Sequence, residues 1–114
     1  MLKIYHNPRC KKSRAGLERL KSKSSDFEII QYLKEGIDLE TLQRLHKKLN
    51  IPAEAMIRKQ EQVFKTNYKG KSLSDTEWLE AIVKEPKLLQ RPIIEDENTA
   101  VLADPAENLD ILFQ

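Results

Sequence analysis

The sequence predicts an α/β fold: a mixed sheet begun by a β-α-β unit, interrupted by a helical insertion at about 39–89, and completed by a β-hairpin and a last α-helix. Three observations carry this. Leu2, Ile4 and Tyr5 form an apolar run that stops at Asn7-Pro8, and Phe27, Ile29 and Ile30 repeat it after a helical stretch. Helical spacing of apolar residues then dominates residues 39–89. Beyond Arg91-Pro92, two apolar runs flank a polar turn, as in a hairpin.

The first helix is expected over residues 11–23, where Ala15, Leu17 and Leu20 recur near helical spacing between Lys and Arg. Gly16 weakens that helix by about 1 kcal/mol relative to alanine, which points to a packing requirement. Residues 22–26 are a polar break, and Lys34-Glu35-Gly36 ends the second strand segment. Two strands flanking a helix are expected to lie parallel, joined by a right-handed crossover. Asp38 is a good N-cap for a helix with Leu39, Leu42, Leu45 and Leu49 on one face, ended by Asn50 and Pro52. His46 adjoins that face as a packing or surface residue. Ala53, Met56 and Ile57 make a short helical pattern that delivers Arg58, beside Lys59, to what reads as a solvated helix end.

Residues 60–71 read as a loop or frayed segment anchored by Val63, Phe64 and Tyr68. Ser74-Asp75-Thr76-Glu77 is a capping box, opening a helix whose Trp78, Leu79, Ile82 and Val83 are expected to face a core. Pro86 stops or restarts it, and Leu88-Leu89 pack. A proline at the first position of a strand is tolerated, and the Arg91-Pro92 bond can be cis. Ile93-Ile94 is then a strand, residues 95–98 a turn, and residues 99–103 the partner strand. Asp104-Pro105 reads as an N-cap with proline at the first position of a last helix, which carries Leu109, Ile111 and Leu112.

A chain of 114 residues with 33% charged and 39% apolar residues fits one domain, 1–114, with solvated helix faces. A single cysteine excludes an internal disulfide and fits a reducing compartment. The N-terminus has no secretory apolar core, and no apolar run is long enough to span a bilayer. The expectation is a cytoplasmic protein with no membrane partner. A net charge of +2 without a long basic run argues against a dedicated nucleic-acid binder. His6, His46 and one cysteine do not make a zinc site, so no metal is expected.

The chemistry concentrates at Tyr5-His6-Asn7-Pro8-Arg9-Cys10-Lys11-Lys12-Ser13-Arg14. Cys10 falls between a strand and the N-terminus of a helix, where free N–H groups and the helix dipole stabilise an anion. For a thiol that anion is the nucleophilic thiolate, and the same donors can hold an oxyanion. A lone cysteine is often a small buried hydrophobe. Apolar packing positions are not usually flanked by Arg9, Lys11 and Lys12, so the setting favours a reactive thiol. His6 is either a surface residue before the turn or a cation that supports the thiolate.

Three stretches together identify a family: Tyr5-His6-Asn7-Pro8-x-Cys10-x-x-Ser13, Ile57-Arg58-Lys59, and Arg91-Pro92-Ile93 preceded by Pro86-x-Leu88-Leu89. The chain resembles the glutaredoxin-coupled arsenate reductases, ArsC-like proteins of thioredoxin-like fold, over nearly its whole length. The resemblance implies that Cys10 attacks arsenate to form a thiol–arsenate adduct, that glutathione as co-substrate displaces arsenite, and that glutaredoxin resolves the mixed disulfide. No bound cofactor is implied. Arg58 and Arg91 match two arginines that hold the oxyanion, a task suited to the planar fork of a guanidinium. His6, Asn7 and Ser13 match residues near the nucleophile, and Pro92 matches the cis-proline that faces the site.

One position departs from the family pattern. The third oxyanion arginine precedes a proline after the hairpin, and this chain has Asp104 before Pro105. An anion facing an oxyanion at a few ångströms is unfavourable by roughly 2–4 kcal/mol at an effective dielectric near 20. Two other readings therefore stand beside arsenate reduction. A branch of this fold binds RNA polymerase and senses redox state through Cys-x-x-Cys. Ser13 removes the second thiol, which leaves a non-switching regulatory or binding protein. The other reading is a homologue with a different substrate.

Overall fold

A computed structural model describes residues 1–114, which form two compact units, Met1–Glu35 with Arg91–Gln114, and Gly36–Gln90. In the first unit strand β1 (Leu2–Tyr5) leads to helix α1 (Lys11–Lys23), strand β2 (Phe27–Ile30) and the single-turn helix α2 (Tyr32–Glu35). The chain returns through strands β3 (Ile93–Glu95) and β4 (Ala100–Leu102) and ends in a 3-10 helix, Ala106–Phe113. The sheet order is β2-β1-β3-β4. β1 and β2 are parallel, with Ile4 opposite Ile29, and β1–β3 and β3–β4 are antiparallel, with Ile94 opposite Ile4 and Val101. This is the mixed α/β sheet the apolar patterning predicts.

The core of this unit is Ile4, Leu20, Ile94, Ala103 and Leu109, with Leu2, Leu17, Phe27, Val101 and Leu112 packed against it. Fully burying a leucine or isoleucine is worth about 1.5–3 kcal/mol, so these residues set the register of both sheet and α1. Ala15, expected on the inner face of α1, is exposed; the buried stripe is Ser13, Gly16 and Leu20. That stripe begins with a hydroxyl and a glycine, which apolar periodicity cannot see. Gly16 has a packing reason: a Cβ added there would lie 2.5 Å from Pro92 Cγ.

Two expectations for the return segment fail. Glu95 is not in the turn but ends β3, where it is buried and accepts a hydrogen bond from the Tyr5 hydroxyl at 2.7 Å. The turn is closed instead by Asp96, whose Oδ1 accepts from the backbone N–H of Asn98 and Thr99. Asp104 is not an N-cap: the last helix is 3-10, its cap position is Pro105, and no side chain bonds to its first turn. Leu109 is buried as expected, but Ile111 is 58% exposed.

The second unit holds helix α3 (Leu39–Leu49), a 3-10 turn at Ala53–Met56, helix α4 (Gln62–Asn67), helix α5 (Asp75–Lys84) and a 3-10 turn at Pro86–Leu88. Asp38 caps α3 by accepting from Thr41 N–H at 2.8 Å, and the chain leaves it through Asn50 in a left-handed conformation. The Ser74–Glu77 capping box starts α5 with both of its hydrogen bonds in place. Val83, expected to face inward, is 39% exposed. The buried face of α5 is Trp78, Leu79, Ala81 and Ile82, and Val83 falls about a third of a turn beyond its middle.

Residues 60–71 contain a real helix, α4, which lacks both a side-chain cap and an amphipathic repeat. Tertiary packing stabilises it: Phe64 stacks on Trp78 with ring centroids 6.2 Å apart, and Tyr68 meets the same indole at 6.1 Å. The middle of this unit is tied to its last residues by a bridge between Ile57 and Leu89, with Arg58 N–H donating to Leu88 O at 2.7 Å and Gln90 N–H to Met56 O at 2.8 Å.

Candidate active site

The turn from β1 into α1 is laced by short-range hydrogen bonds before any substrate is considered. Asn7 Oδ1 accepts from Arg9 N–H at 3.0 Å, and Cys10 N–H donates to Asn7 O at 3.1 Å. Arg14 reaches back from α1 to donate to Pro8 O at 3.0 Å. Ser13, fully buried, accepts from Asn7 N–H at 2.9 Å, and its Oγ lies 2.7 Å from His6 Nδ1. Asn7 and Ser13 therefore hold the turn on the helix, and the helix begins at Cys10 with no side chain bonded to its cap.

This geometry leaves the first N–H groups of a 13-residue helix for the Cys10 sulfur. Burial pushes the Cys10 thiol upward. The backbone N–H groups of Ser13 and Lys12 and the charge and hydrogen bond of Arg91 outweigh it, so the thiol lies below its ordinary value of 9.0. Arg91 Nε donates to Cys10 Sγ at 3.0 Å across 81 residues of sequence. Arg91 itself is only 7% exposed and precedes a cis bond to Pro92. Pro92 rests on the bare backbone of Gly16. The first turn of α1 contains no acidic residue to compete for these donors.

His6 matches neither expectation. It is buried, and its pKa is lowered, first by desolvation and then by Arg14 and Lys21. The lowered value favours the neutral ring, whose Nδ1 lies against Ser13 Oγ. Cys10, Arg91, His6, Asn7, Ser13 and Pro92 thus come together in one unit. Arg58 belongs to the other unit and is not at a solvated helix end. It follows the bridge residue Ile57, with its side chain 17% exposed, its Nη1 2.7 Å from Glu61 Oε2, and its Nε buried without a hydrogen-bond partner.

Asp104, at the departing position, pairs with Lys12 Nζ at 3.0 Å, so its carboxylate is spent on a cation of the first turn of α1. The sequence offers no sign of this pair, because a loop aspartate before a proline reads most simply as a cap. Nor does it mark Gln31, Leu33 and Lys34, which line a cavity against the turn His6–Arg9. The only legible signal there was the surplus of cations around Cys10.

Comparison with known proteins decides the family. The profile of the ArsC family matches residues 5–111. The chain belongs to the ArsC family. It is similar to an arsenate reductase of Neisseria meningitidis serogroup B, 35% identical over 114 residues, covering 98% of this chain and 97% of the relative. It is also similar to YfgD of Escherichia coli K12, described as an uncharacterized protein, 38% identical over 110 residues and covering 95% of this chain and 92% of the relative. The solved structure of an arsenate reductase from Vibrio cholerae matches with a TM-score of 0.90 and 36% identity, covering 96% of each chain. The fold is thus the thioredoxin-like α/β arrangement of that family. No helix is long and apolar enough to cross a membrane.

Proposed function

We propose that this protein is a cytoplasmic oxidoreductase that reduces arsenate with Cys10 as nucleophile, glutathione as co-substrate and glutaredoxin as the resolving partner. The observation that carries the reading is the 3.0 Å contact from Arg91 Nε to a thiol already facing the first N–H groups of α1. These donors favour the thiolate before the reaction. They also favour an oxyanion bonded to the sulfur after it, because they are fixed in place and need no reorganisation.

In the proposed sequence the Cys10 thiolate attacks arsenic, and a hydroxyl of arsenate takes a proton from solvent and leaves as water. Glutathione thiolate then attacks Sγ. The sulfur–sulfur bond forms, the sulfur–arsenic bond breaks with its electron pair on arsenic, and As(V) leaves as As(III) in arsenite. Glutaredoxin exchanges onto the mixed disulfide and restores the thiol. This division of labour suits a chain with one cysteine. The family resemblance gives Arg58 the same oxyanion-holding task as Arg91.

Asp104, standing where the family pattern has its third arginine, favours a second reading, in which the oxyanion is one other than arsenate. A coupled assay with arsenate, glutathione, glutaredoxin and a recycling system separates the two. Turnover by the native protein, lost in Cys10→Ser and reduced at least tenfold in Arg91→Ala and Arg58→Ala, is expected. Turnover that survives in Cys10→Ser contradicts the proposal. Turnover that appears only in Asp104→Arg assigns the site to a different oxyanion.

A further inference from the structure

The reaction above needs a second thiol at Cys10, and the turn carrying Cys10 has a cavity on its other flank. The cavity has a volume of about 370 Å³ and lies between His6–Arg9 and the segment Gln31, Leu33 and Lys34. Small-molecule sites begin at about 300 Å³ and are mostly apolar with a few polar groups. Here Pro8 and Leu33 are apolar, Gln31 and Asn7 are amides, and Arg9 and Lys34 are exposed cations with no carboxylate partner. The nearby Glu35 is engaged by the Gln31 N–H at 3.0 Å and does not line the cavity.

Arg91 and the Lys12 and Ser13 amides, which face the sulfur, are also absent from this lining. An anion held by those donors would therefore leave the cavity open. A second cavity of the same unit is lined by Asp26, Asp96 and Glu97 against the single ammonium of Met1, a balance that disfavours an anionic ligand.

We propose that the cavity between His6–Arg9 and Gln31–Lys34 binds the peptide body of the anionic thiol co-substrate, its carboxylates meeting Arg9 and Lys34 and its apolar stem lying on Pro8 and Leu33. The proposal rests on the reading of Cys10 as a nucleophile whose adduct a small thiol displaces. Glutathione has the required chemistry: two carboxylates, one ammonium and peptide amides for Gln31 and Asn7. A thiol held there starts one residue from the nucleophile, since Arg9 lines the cavity and precedes Cys10, which itself does not line it. The incoming sulfur then attacks Cys10 Sγ as the sulfur–arsenic bond breaks, so the two sulfurs are oxidised to a disulfide as arsenic gains the electron pair.

The test is a titration of the full chain with S-methylglutathione, whose thioether cannot react, followed by amide chemical shifts. It is paired with steady-state kinetics in glutathione and arsenate. Shifts concentrated at Arg9, Gln31, Leu33 and Lys34 are expected, with binding about tenfold weaker in Lys34→Glu and in Arg9→Glu, equivalent to about 1.4 kcal/mol each. Both side chains are exposed, so the variants should fold. In the assay KM for glutathione should rise about tenfold in each variant, while KM for arsenate moves less than twofold in Lys34→Glu, the substitution that does not adjoin Cys10. Absence of binding at millimolar analogue, or shifts centred on Arg91 and Pro92, overturns the proposal. Because the titration needs no turnover, a protein that binds the analogue but reduces no arsenate refutes the reading of the substrate and leaves the thiol site standing.

Discussion

Replacing Gly16 by alanine puts a methyl group 2.5 Å from Pro92 Cγ, where carbon atoms ordinarily meet at about 3.5–4.0 Å. The overlap is roughly 1 Å. It falls on a proline ring atom that cannot swing away as the end of a lysine would. Overpacking of this kind costs about 1–3 kcal/mol. Alanine in mid-helix returns about 1 kcal/mol of helix propensity. The expected net result is a loss of up to about 2 kcal/mol, and Gly16→Val should lose more, since its branched side chain adds volume at the same contact. The clash also has a functional readout, because the residue pushed aside is bonded to Arg91. A displaced Pro92 should loosen the Arg91–Cys10 contact and slow alkylation of Cys10 at neutral pH. Urea unfolding gives the first quantity and the rate of reaction with iodoacetamide the second. A Gly16→Ala protein more stable than the native one by about 1 kcal/mol, with unchanged alkylation, would mean that propensity alone acts at this position and that Pro92 does not rest on α1.

Three further outcomes follow from the same geometry. In Arg91→Ala the pH midpoint of Cys10 alkylation should move upward, since burial remains while a charge and a hydrogen bond are lost; an unmoved midpoint excludes the contact in solution. Tyr5→Phe removes the 2.7 Å donor to the buried Glu95 side chain and should lower stability by about 1–3 kcal/mol in urea unfolding, against no change if Glu95 is open to water. For His6 the folded pKa lies below the ordinary 6.5, so the unfolded chain takes up the proton first. Its contribution is complete above pH 6.5 and is lost as pH falls through the folded value. The lowered carboxylates Asp38, Glu77 and Asp110 start from 3.8–4.5 and act only at lower pH. Stability measured between pH 7 and 5 should therefore decline in the native protein and be flatter in His6→Gln; parallel curves would show that His6 is not buried in its neutral form.

Elements marked by a local apolar run or by a cap were legible in the sequence. β1, α1, β2, α3 and α5 fall where apolar spacing and caps put them, because Asp38 and Ser74–Glu77 mark their own helix starts. Elements held by distant partners were not. α4 exists because Phe64 and Tyr68 stack on Trp78, and nothing within residues 60–71 announces it. Asp104 looked like a cap and is an ion-pair partner of Lys12, a contact across 92 residues. Within the candidate site, the charge around Cys10 and its place at a helix start were readable from local sequence. The approach of Arg91, the neutral buried state of His6 and the rest of Pro92 on Gly16 depend on the sheet bringing residues 91–95 beside β1. Family resemblance pointed to Arg91 and Pro92, and spacing could not have done so.

The central claim is that Cys10 transfers electrons from a thiol to arsenate. A single-turnover experiment addresses it most directly: reduced protein is mixed with arsenate and one equivalent of glutathione, without glutaredoxin. Arsenite and the intact mass of the protein are then measured together. One arsenite is expected for each protein that gains a glutathione on Cys10, and neither product in Cys10→Ser. A glutathione adduct formed without arsenite, or arsenite formed equally by Cys10→Ser, would contradict it.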